Sequence, residues 1–167
     1  MSKKNIFSFL MIIILLSIIF NNHVSASHIK SFSEKNKIIQ SSLFSRHWKN
    51  NDKYNNYHKL IGLEYYYPKE RVYGIAFFKN SYNQGCCYLY IGRVYYFHEN
   101  SEIKIRGKIS AGIVHGYSDE GGKYDGIYNK LGTFPAIIPS IGIEYSDYVV
   151  DLVTYALAGA MITIGIR

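Results

Sequence analysis

Hydrophobic and polar residues alternate along most of the chain after Lys37, and turn-forming residues interrupt the alternation repeatedly. A period of two is typical of β-strands, whose successive side chains point to opposite faces. The pattern predicts eight strands, most of them near the roughly 9–11 residues with which a β-strand crosses a bilayer. The predicted strands are Ile38–His47, Lys59–Tyr67, Arg71–Asn80, Cys86–Phe97, Ile103–Val114, Phe134–Tyr145, Tyr148–Ala156 and Ala160–Ile166.

The fifth predicted strand, Ile103–Val114, has isoleucines on one face and Lys104, Arg106 and Lys108 on the other. In a soluble sandwich the isoleucines would face the core and the cations would face water. In a membrane barrel the isoleucines face lipid and the cations face the lumen. Because both arrangements give the same alternation, this strand alone leaves the fold open.

The connections between the predicted strands alternate between short and longer, more polar segments. Outer-membrane barrels have tight periplasmic turns and looser external loops, so this alternation favours an all-β, eight-stranded antiparallel outer-membrane barrel. The short connections are Tyr67–Glu70, His98–Glu102 and Ser146–Asp147, and the longer ones are Asn50–His58, Ser81–Gly85 and His115–Leu131.

Residues 1–26 have the features of a secretory signal peptide, with Lys3 and Lys4 ahead of an apolar run from Ile6 to Phe20. An uncleaved anchor is the alternative, but a spanning helix needs about 20 apolar residues. We expect cleavage after Ala26, a polar arm or short helix at residues 27–37, and a barrel at residues 38–167. No second long apolar stretch follows, so the mature chain can enter a membrane only as a closed barrel.

Composition and charge narrow the choice of partner. The chain carries 17 Tyr, a residue suited to membrane–water boundaries. Its net charge is +7, which falls to +5 without the two leader lysines. With no basic helical face, this balance fits an anionic membrane surface and indicates no nucleic acid partner. We expect a monomer.

The cysteines and histidines give no sign of a metal site or a soluble cofactor. Cys86 and Cys87 are adjacent, so in a strand their thiols point to opposite faces and cannot bridge each other. The six histidines are scattered, without the spacing of a ligand set. We therefore predict neither metal nor cofactor.

Barrel topology places three polar residues on one rim. With both termini on the periplasmic side, His47 lies at the external end of the first strand, and Asn80 and Ser81 lie at the external end of the third. A histidine near a serine can activate the hydroxyl as a nucleophile, and an amide can donate to a developing oxyanion. Solvated rim residues are the simpler interpretation of this set on its own.

Two further features are unusual in a barrel strand. Pro135 and Pro139 lie within one predicted strand, although proline removes a ladder donor. Either that strand starts late and leaves Pro135 in the loop, or the prolines mark a gap in the wall through which a lipid chain passes. Gly92 interrupts the face that carries Tyr88 and Tyr90, which indicates a bulge, a kink or space for a ligand.

Together these residues resemble the lipid A palmitoyltransferase family (PagP-type), an eight-stranded outer-membrane barrel. The likeness covers roughly His47 to Tyr145, and Asn80 stands where the family has aspartate. The segments that carry it are Ser45-Arg46-His47-Trp48, Lys53-Tyr54-Asn55, Leu60-Ile61-Gly62-Leu63, Phe78-Lys79-Asn80-Ser81-Tyr82-Asn83, and the proline pair Pro135 and Pro139 ahead of Gly142 and Tyr145.

The resemblance implies an enzyme that moves a palmitate-like chain from a membrane phospholipid to lipid A or a related lipid. It implies that His47 is the general base, that Ser81 is the nucleophile or hydroxyl participant, and that Asn80 is a hydrogen-bond partner. Gly92 would form the floor of the acyl pocket, next to Tyr88 and Tyr90. The proline pair would flank lateral lipid access.

The alternative hypothesis is a non-catalytic outer-membrane barrel that binds lipid or a surface partner. Asn80 favours it, because an amide cannot act as a base or an anionic orienting group. The change Asn80→Asp should distinguish the two hypotheses. A small pore is a third and weaker alternative, because side chains fill the interior of an eight-stranded barrel.

Overall fold

The computed structural model describes residues 36–48, 55, 58–99, 102–155 and 159–167. Within them the chain forms a closed barrel of eight antiparallel strands in sequence order, with the first strand paired to the last. The strands are β1 Lys37–His47, β2 Ile61–Tyr67, β3 Arg71–Lys79, β4 Gly85–Glu99, β5 Ile103–His115, β6 Thr133–Tyr145, β7 Tyr148–Thr154 and β8 Gly159–Ile166.

The predicted all-β, eight-stranded antiparallel barrel is therefore confirmed. The predicted signal peptide, and the predicted arm up to residue 35, lie outside the described residues. A short helix, α1 (Ile127–Leu131), lies in the β5–β6 connection. Among the described residues, no helix is long and apolar enough to cross a bilayer.

Strand boundaries differ from the prediction at two places that matter for the lumen. Strand β2 begins at Ile61 instead of Lys59, because Lys59 has a positive φ of 45° that takes it out of the extended conformation. Strand β6 begins at Thr133, so Pro135 lies inside the strand. The interpretation that leaves Pro135 in the loop is wrong.

The two ends of the barrel differ in the length of their connections, as predicted. At one end, here called the turn end, residues 68–70 and Ser146-Asp147 make tight turns, and the backbone N–H of Arg167 donates to Asp147 O at 2.9 Å. The opposite end, the loop end, carries the connections at residues 48–60, 80–84, 116–132 and 155–158. Strand β1 therefore begins, and strand β8 ends, at the turn end.

Strand β5 places its apolar residues outside the barrel and its central cations inside. On β5, Ile109 is 51% exposed, whereas Arg106 is 1% exposed and Lys108 is buried. The membrane-barrel interpretation of this strand is the one that the structure adopts. Six of the exposed aromatic residues lie near the turn end, as aromatic residues do at a membrane–water boundary; they are Tyr67, Tyr73, Tyr95, Phe97, Tyr145 and Tyr148.

The half of the lumen nearer the turn end is filled by charged side chains. Arg106 donates to Glu144 Oε1 and Asp151 Oδ2, both at 2.7 Å, and Lys108 binds Glu64. We call this group the ion cluster, which comprises Glu64, Arg106, Lys108, Glu144, Asp151 and Arg167. Because buried charges are tolerated only when they are paired, the cluster closes this half of the lumen with a fixed set of contacts.

Candidate functional site

The loop-end half of the barrel contains a cavity of about 690 Å³. This volume falls within the roughly 300–1,000 Å³ that is usual for sites that bind small molecules. Its walls are mainly apolar side chains from several strands, including Leu60, Ala76, Phe78, Val114, Val153 and Met161. The cavity therefore suits an apolar ligand.

The floor of the cavity is formed by side chains next to the ion cluster. Tyr90 donates to Glu64 Oε1 at 2.7 Å and accepts from Gln40 at 3.1 Å. A Cβ at position 74 would lie 2.2 Å from the Tyr90 ring, so only a glycine there leaves room for the ring. Tyr88 stacks on Tyr90 with ring centroids 4.6 Å apart. Both tyrosines line the cavity, as their predicted role in an acyl pocket requires.

The structure places Gly92 away from the position that the resemblance implied. It is not among the described residues that line the cavity. A Cβ there would lie 2.7 Å from Ile109 O and 2.9 Å from Val72 Cγ1, which shows close packing. Because Gln40, Tyr90 and Lys108 form the floor instead, the expectation that Gly92 is the floor is corrected.

His47 and Ser81 meet at the mouth of the cavity. His47 is the last residue of β1, and Ser81 lies two residues after the end of β3, so strand ends on the same rim bring them together. The Nε2 atom of His47 lies 2.7 Å from Ser81 Oγ, and both residues line the cavity. An imidazole at this distance can take the proton of the serine hydroxyl.

Asn80 stabilises the β3–β4 connection. Its Oδ1 accepts the backbone N–H groups of Tyr82 at 2.9 Å and Gln84 at 3.0 Å. Its Nδ2 donates to Gln84 Oε1 at 2.8 Å, and the residue is 1% exposed. These bonds hold the turn that presents Ser81 to the cavity.

A second histidine, His58, lies beside this pair and was not predicted. Its ring centroid is 5.5 Å from that of His47 and 5.7 Å from that of Tyr155. Its Nδ1 lies 2.6 Å from Lys79 O, and a carbonyl oxygen requires Nδ1 to be the protonated nitrogen. Burial lowers the pKa of His58, the bond to Lys79 O opposes this shift, and the nearby His47 adds to it.

Next to the cavity, and among the described residues, the pairing between β6 and β7 covers only part of β6. Strand β6 pairs with β5 from Thr133 to Tyr145, but it pairs with β7 only from Ser140 onward. Among the described residues, the stretch that contains Pro135 and Pro139 therefore forms no ladder pairs with β7. We call this stretch the gap; the proline pair lies in it, and the passage of a lipid chain there stays a prediction.

The prolines leave the β5–β6 ladder intact. Thr154 Oγ1 donates to Pro139 O at 3.5 Å, so the backbone of Pro139 is directed toward β7. Alternate residues of a strand direct their backbone groups to the same neighbour, so Pro135 has the same orientation. The missing N–H groups fall on the open edge, where they remove no bond to β5.

Aromatic residues of the longest described connection also line the cavity. The rings of Tyr128 and Phe134 lie 4.4 Å apart, and Tyr117 packs against Phe134 at 5.1 Å. Asn129, in α1, donates to Ser118 O at 2.9 Å and so fixes the helix against its own connection. The loop-end boundary of the cavity is thus built from residues with no periodic pattern in the sequence.

The described residues contain no group of three or more His, Cys, Asp or Glu side chains that could hold a metal ion. Cys86 and Cys87 are both free thiols. The imidazoles of His47 and His58 and the hydroxyls of Ser81 and Tyr155 are among the groups lining the cavity that can exchange protons.

Comparisons with known proteins give a likeness in fold only. No protein-family model and no curated protein sequence matches the chain. The outer-membrane protein Ail of Yersinia pestis, in a phospholipid bilayer nanodisc, is 12% identical with a TM-score of 0.41, over 78% of this chain and 97% of Ail. Ail in complex with the heparin analogue sucrose octasulfate is 14% identical with a TM-score of 0.33, over 78% of this chain and 94% of Ail. Likenesses of this strength carry no conclusion about function.

Proposed function

We propose that this protein is an outer-membrane β-barrel that takes the acyl chain of a membrane lipid into the cavity at its loop end. The observation that carries the proposal is the apolar cavity itself, which lies beside a gap in the barrel wall. A lipid chain can pass through such a gap without leaving the hydrocarbon layer. The apolar exterior supports the membrane location.

The finer step of the proposal is acyl transfer. Ser81 Oγ attacks the ester carbonyl of a phospholipid while His47 Nε2 takes the hydroxyl proton. The ester C–O bond breaks, His47 returns the proton to the leaving glycerol oxygen, and the acyl group stays on Ser81. A hydroxyl of lipid A or another lipid then attacks this ester, and His47 again takes and returns the proton. The 2.7 Å bond between the two residues supports these roles.

A non-catalytic, lipid-binding barrel is the second candidate function. The observation that favours it is the amide of Asn80, which is bound within the β3–β4 connection and cannot supply a negative charge to His47. Both candidates share the cavity and the membrane location, and they differ only in whether an acyl product forms. Export by a signal peptide at residues 1–26 belongs to both.

The test is thin-layer chromatography of phospholipids and lipid A from cells that express the protein with radiolabelled palmitate. We expect a new acylated lipid, and we expect His47→Ala to reduce it at least about 100-fold, the size of a lost general base. His115→Ala is the matched control. His115 also lies next to a hydroxyl, that of Thr133 at 2.7 Å, but it is exposed and does not line the cavity.

The outcomes separate the two candidates. A product that disappears with His47→Ala but not with His115→Ala supports acyl transfer. A product that survives His47→Ala would exclude His47 as the base. If no product forms although the barrel is present in the outer membrane, the non-catalytic barrel is the correct function.

A further inference from the structure

Three buried polar atoms in the described part of the chain have no hydrogen-bond partner. They are His58 Nε2, Ser140 Oγ and Tyr155 OH. All three residues line the cavity. Because buried polar groups are nearly always hydrogen-bonded, their concentration around one cavity indicates that a bound molecule supplies the missing partners.

Two of these atoms belong to neighbouring rings. The rings of His58 and Tyr155 lie 5.7 Å apart at an interplanar angle of 79°. Since His58 Nδ1 donates to Lys79 O, its Nε2 atom carries the lone pair and can only accept. The Tyr155 hydroxyl is able to donate. The pair therefore offers one acceptor and one donor within the same part of the cavity.

This combination selects a hydroxyl among the polar groups of a lipid. A hydroxyl can donate to His58 and accept from Tyr155 at the same time. A carbonyl only accepts and would leave His58 without a partner. An ammonium only donates and would leave the Tyr155 hydrogen unused. Burial lowers the pKa of His58, which favours the neutral ring that can accept at Nε2.

The position of the pair also limits where the hydroxyl lies in the ligand. The His58 ring is 5.5 Å from the His47 ring, and His47 Nε2 is 2.7 Å from Ser81 Oγ. We propose that His58 and Tyr155 form a binding site for a lipid hydroxyl that lies a few bonds from the carboxyl or ester group. This inference rests on the proposed function, which puts that group at Ser81.

Such a hydroxyl has two sources. It belongs to the acyl chain, as in a 3-hydroxyacyl group, or to the alcohol side, as in a glycerol with a free hydroxyl. Calorimetric titration of the purified protein in detergent micelles distinguishes the two. The first pair of probes is tetradecanoate and 3-hydroxytetradecanoate. The second pair is methyl tetradecanoate and 1-tetradecanoylglycerol.

We expect the hydroxylated member of at least one pair to bind about five-fold more tightly, the usual size of a neutral hydrogen bond in a buried site. The variant Tyr155→Phe should bring that ratio close to one. Partitioning of the probes into micelles is the same for both proteins, so the change in the ratio reports the Tyr155 hydroxyl alone. The variant should fold normally, because the hydroxyl that it removes has no partner.

Tyr148→Phe is the matched control. It removes the same atom at the other end of β7, where Tyr148 is 53% exposed, and it should leave the ratio unchanged. If wild-type protein binds both members of each pair equally, or if Tyr155→Phe keeps the preference, the hydroxyl site is wrong and the lipid cavity stands. If none of the four probes binds, the proposed function fails, and this inference fails with it.

Discussion

Asn80 shows how one side chain can fix the geometry of a connection, here the one that presents Ser81 to the cavity. Both polar atoms of its amide are engaged with Tyr82 and Gln84. Gln84 in turn donates to Ser118 O and to Glu120 Oε1. The amide thus connects the residue before Ser81 to the β5–β6 connection that borders the cavity.

We predict that Asn80→Asp lowers thermal stability by about 1 kcal/mol and changes acyl transfer less than threefold. Aspartate keeps both backbone bonds but loses the donation to Gln84, and one oxygen then faces Gln84 Oε1. Thermal unfolding and the chromatography assay measure the two effects. Asn83→Asp, the same change at an exposed position of the same connection, is the control. A rise in acyl transfer of tenfold or more would show that a carboxylate at position 80 acts on His47 and Ser81.

The sequence predicted His47, Ser81 and Asn80 as neighbours, because strand order and the alternation of connections decide which strand ends share a rim. It did not predict His58 or Tyr155. A histidine in a polar connection has no periodic signal, and its importance here comes from a missing partner for Nε2. A missing hydrogen-bond partner can be recognised only when the groups that surround the side chain in the folded barrel are known.

At the scale of the element, β6 has different neighbours along its length. Its whole length is paired to β5, whereas the half nearer the loop end has no β7 partner among the described residues. The proline pair falls in this half. A gap of this kind makes one strand both a part of the wall and the edge of an opening.

We predict that a disulfide across this edge blocks the passage of lipid. Pro139→Cys and Thr154→Cys continue the register one step beyond the pair Ser140 and Val153, where opposite residues are close enough to bridge. In a background that lacks Cys86 and Cys87, oxidation should slow labelled-lipid incorporation about tenfold, and a reductant should restore it. The rate should fall because the bridged strands must separate before the lipid enters.

The control places the same bridge where the wall is already closed. Ile143→Cys and Val150→Cys are directly opposite each other on β6 and β7. Oxidation of this pair should leave incorporation unchanged. Equal slowing by both bridges would mean that lipid does not enter between these strands.

At the scale of the whole molecule, the lumen has a charged half and an apolar half. The ion cluster draws its members from β2, β5, β6, β7 and the residue after β8, so it also connects strands that are not neighbours. The apolar half depends on it, because Tyr90, which forms part of the floor, donates to Glu64.

We predict that Arg106→Ala destabilises the barrel by about 3–5 kcal/mol, because it leaves Glu144 and Asp151 buried without their main partner. Denaturant unfolding in micelles, followed by circular dichroism, measures the loss. Arg93→Ala, an exposed arginine on β4, should change stability by less than about 0.5 kcal/mol. Equal stability of the Arg106 and Arg93 variants would contradict a structural role for the cluster.

The eight strands and their order were predictable, because a period of two and turn residues are local signals. The contents of the lumen were not. Alternation shows that Arg106 and Lys108 share a face of β5, but not that Glu64 and Asp151 reach them from other strands. The floor of the cavity was misplaced at Gly92 for the same reason, since the length of the Tyr90 and Gln40 side chains decides where open space ends.

The unpaired half of β6 has a consequence for how copies of this barrel meet in a membrane. A bare strand edge normally invites another strand to add to it, and this leads to edge-to-edge aggregation or domain swapping. Pro135 and Pro139 present no N–H on that edge, so two backbone carbonyl groups of an approaching strand would receive no hydrogen bond. The proline pair therefore disfavours strand addition at this edge, so the part of β6 that has no β7 partner among the described residues does not promote edge-to-edge association between copies of the barrel.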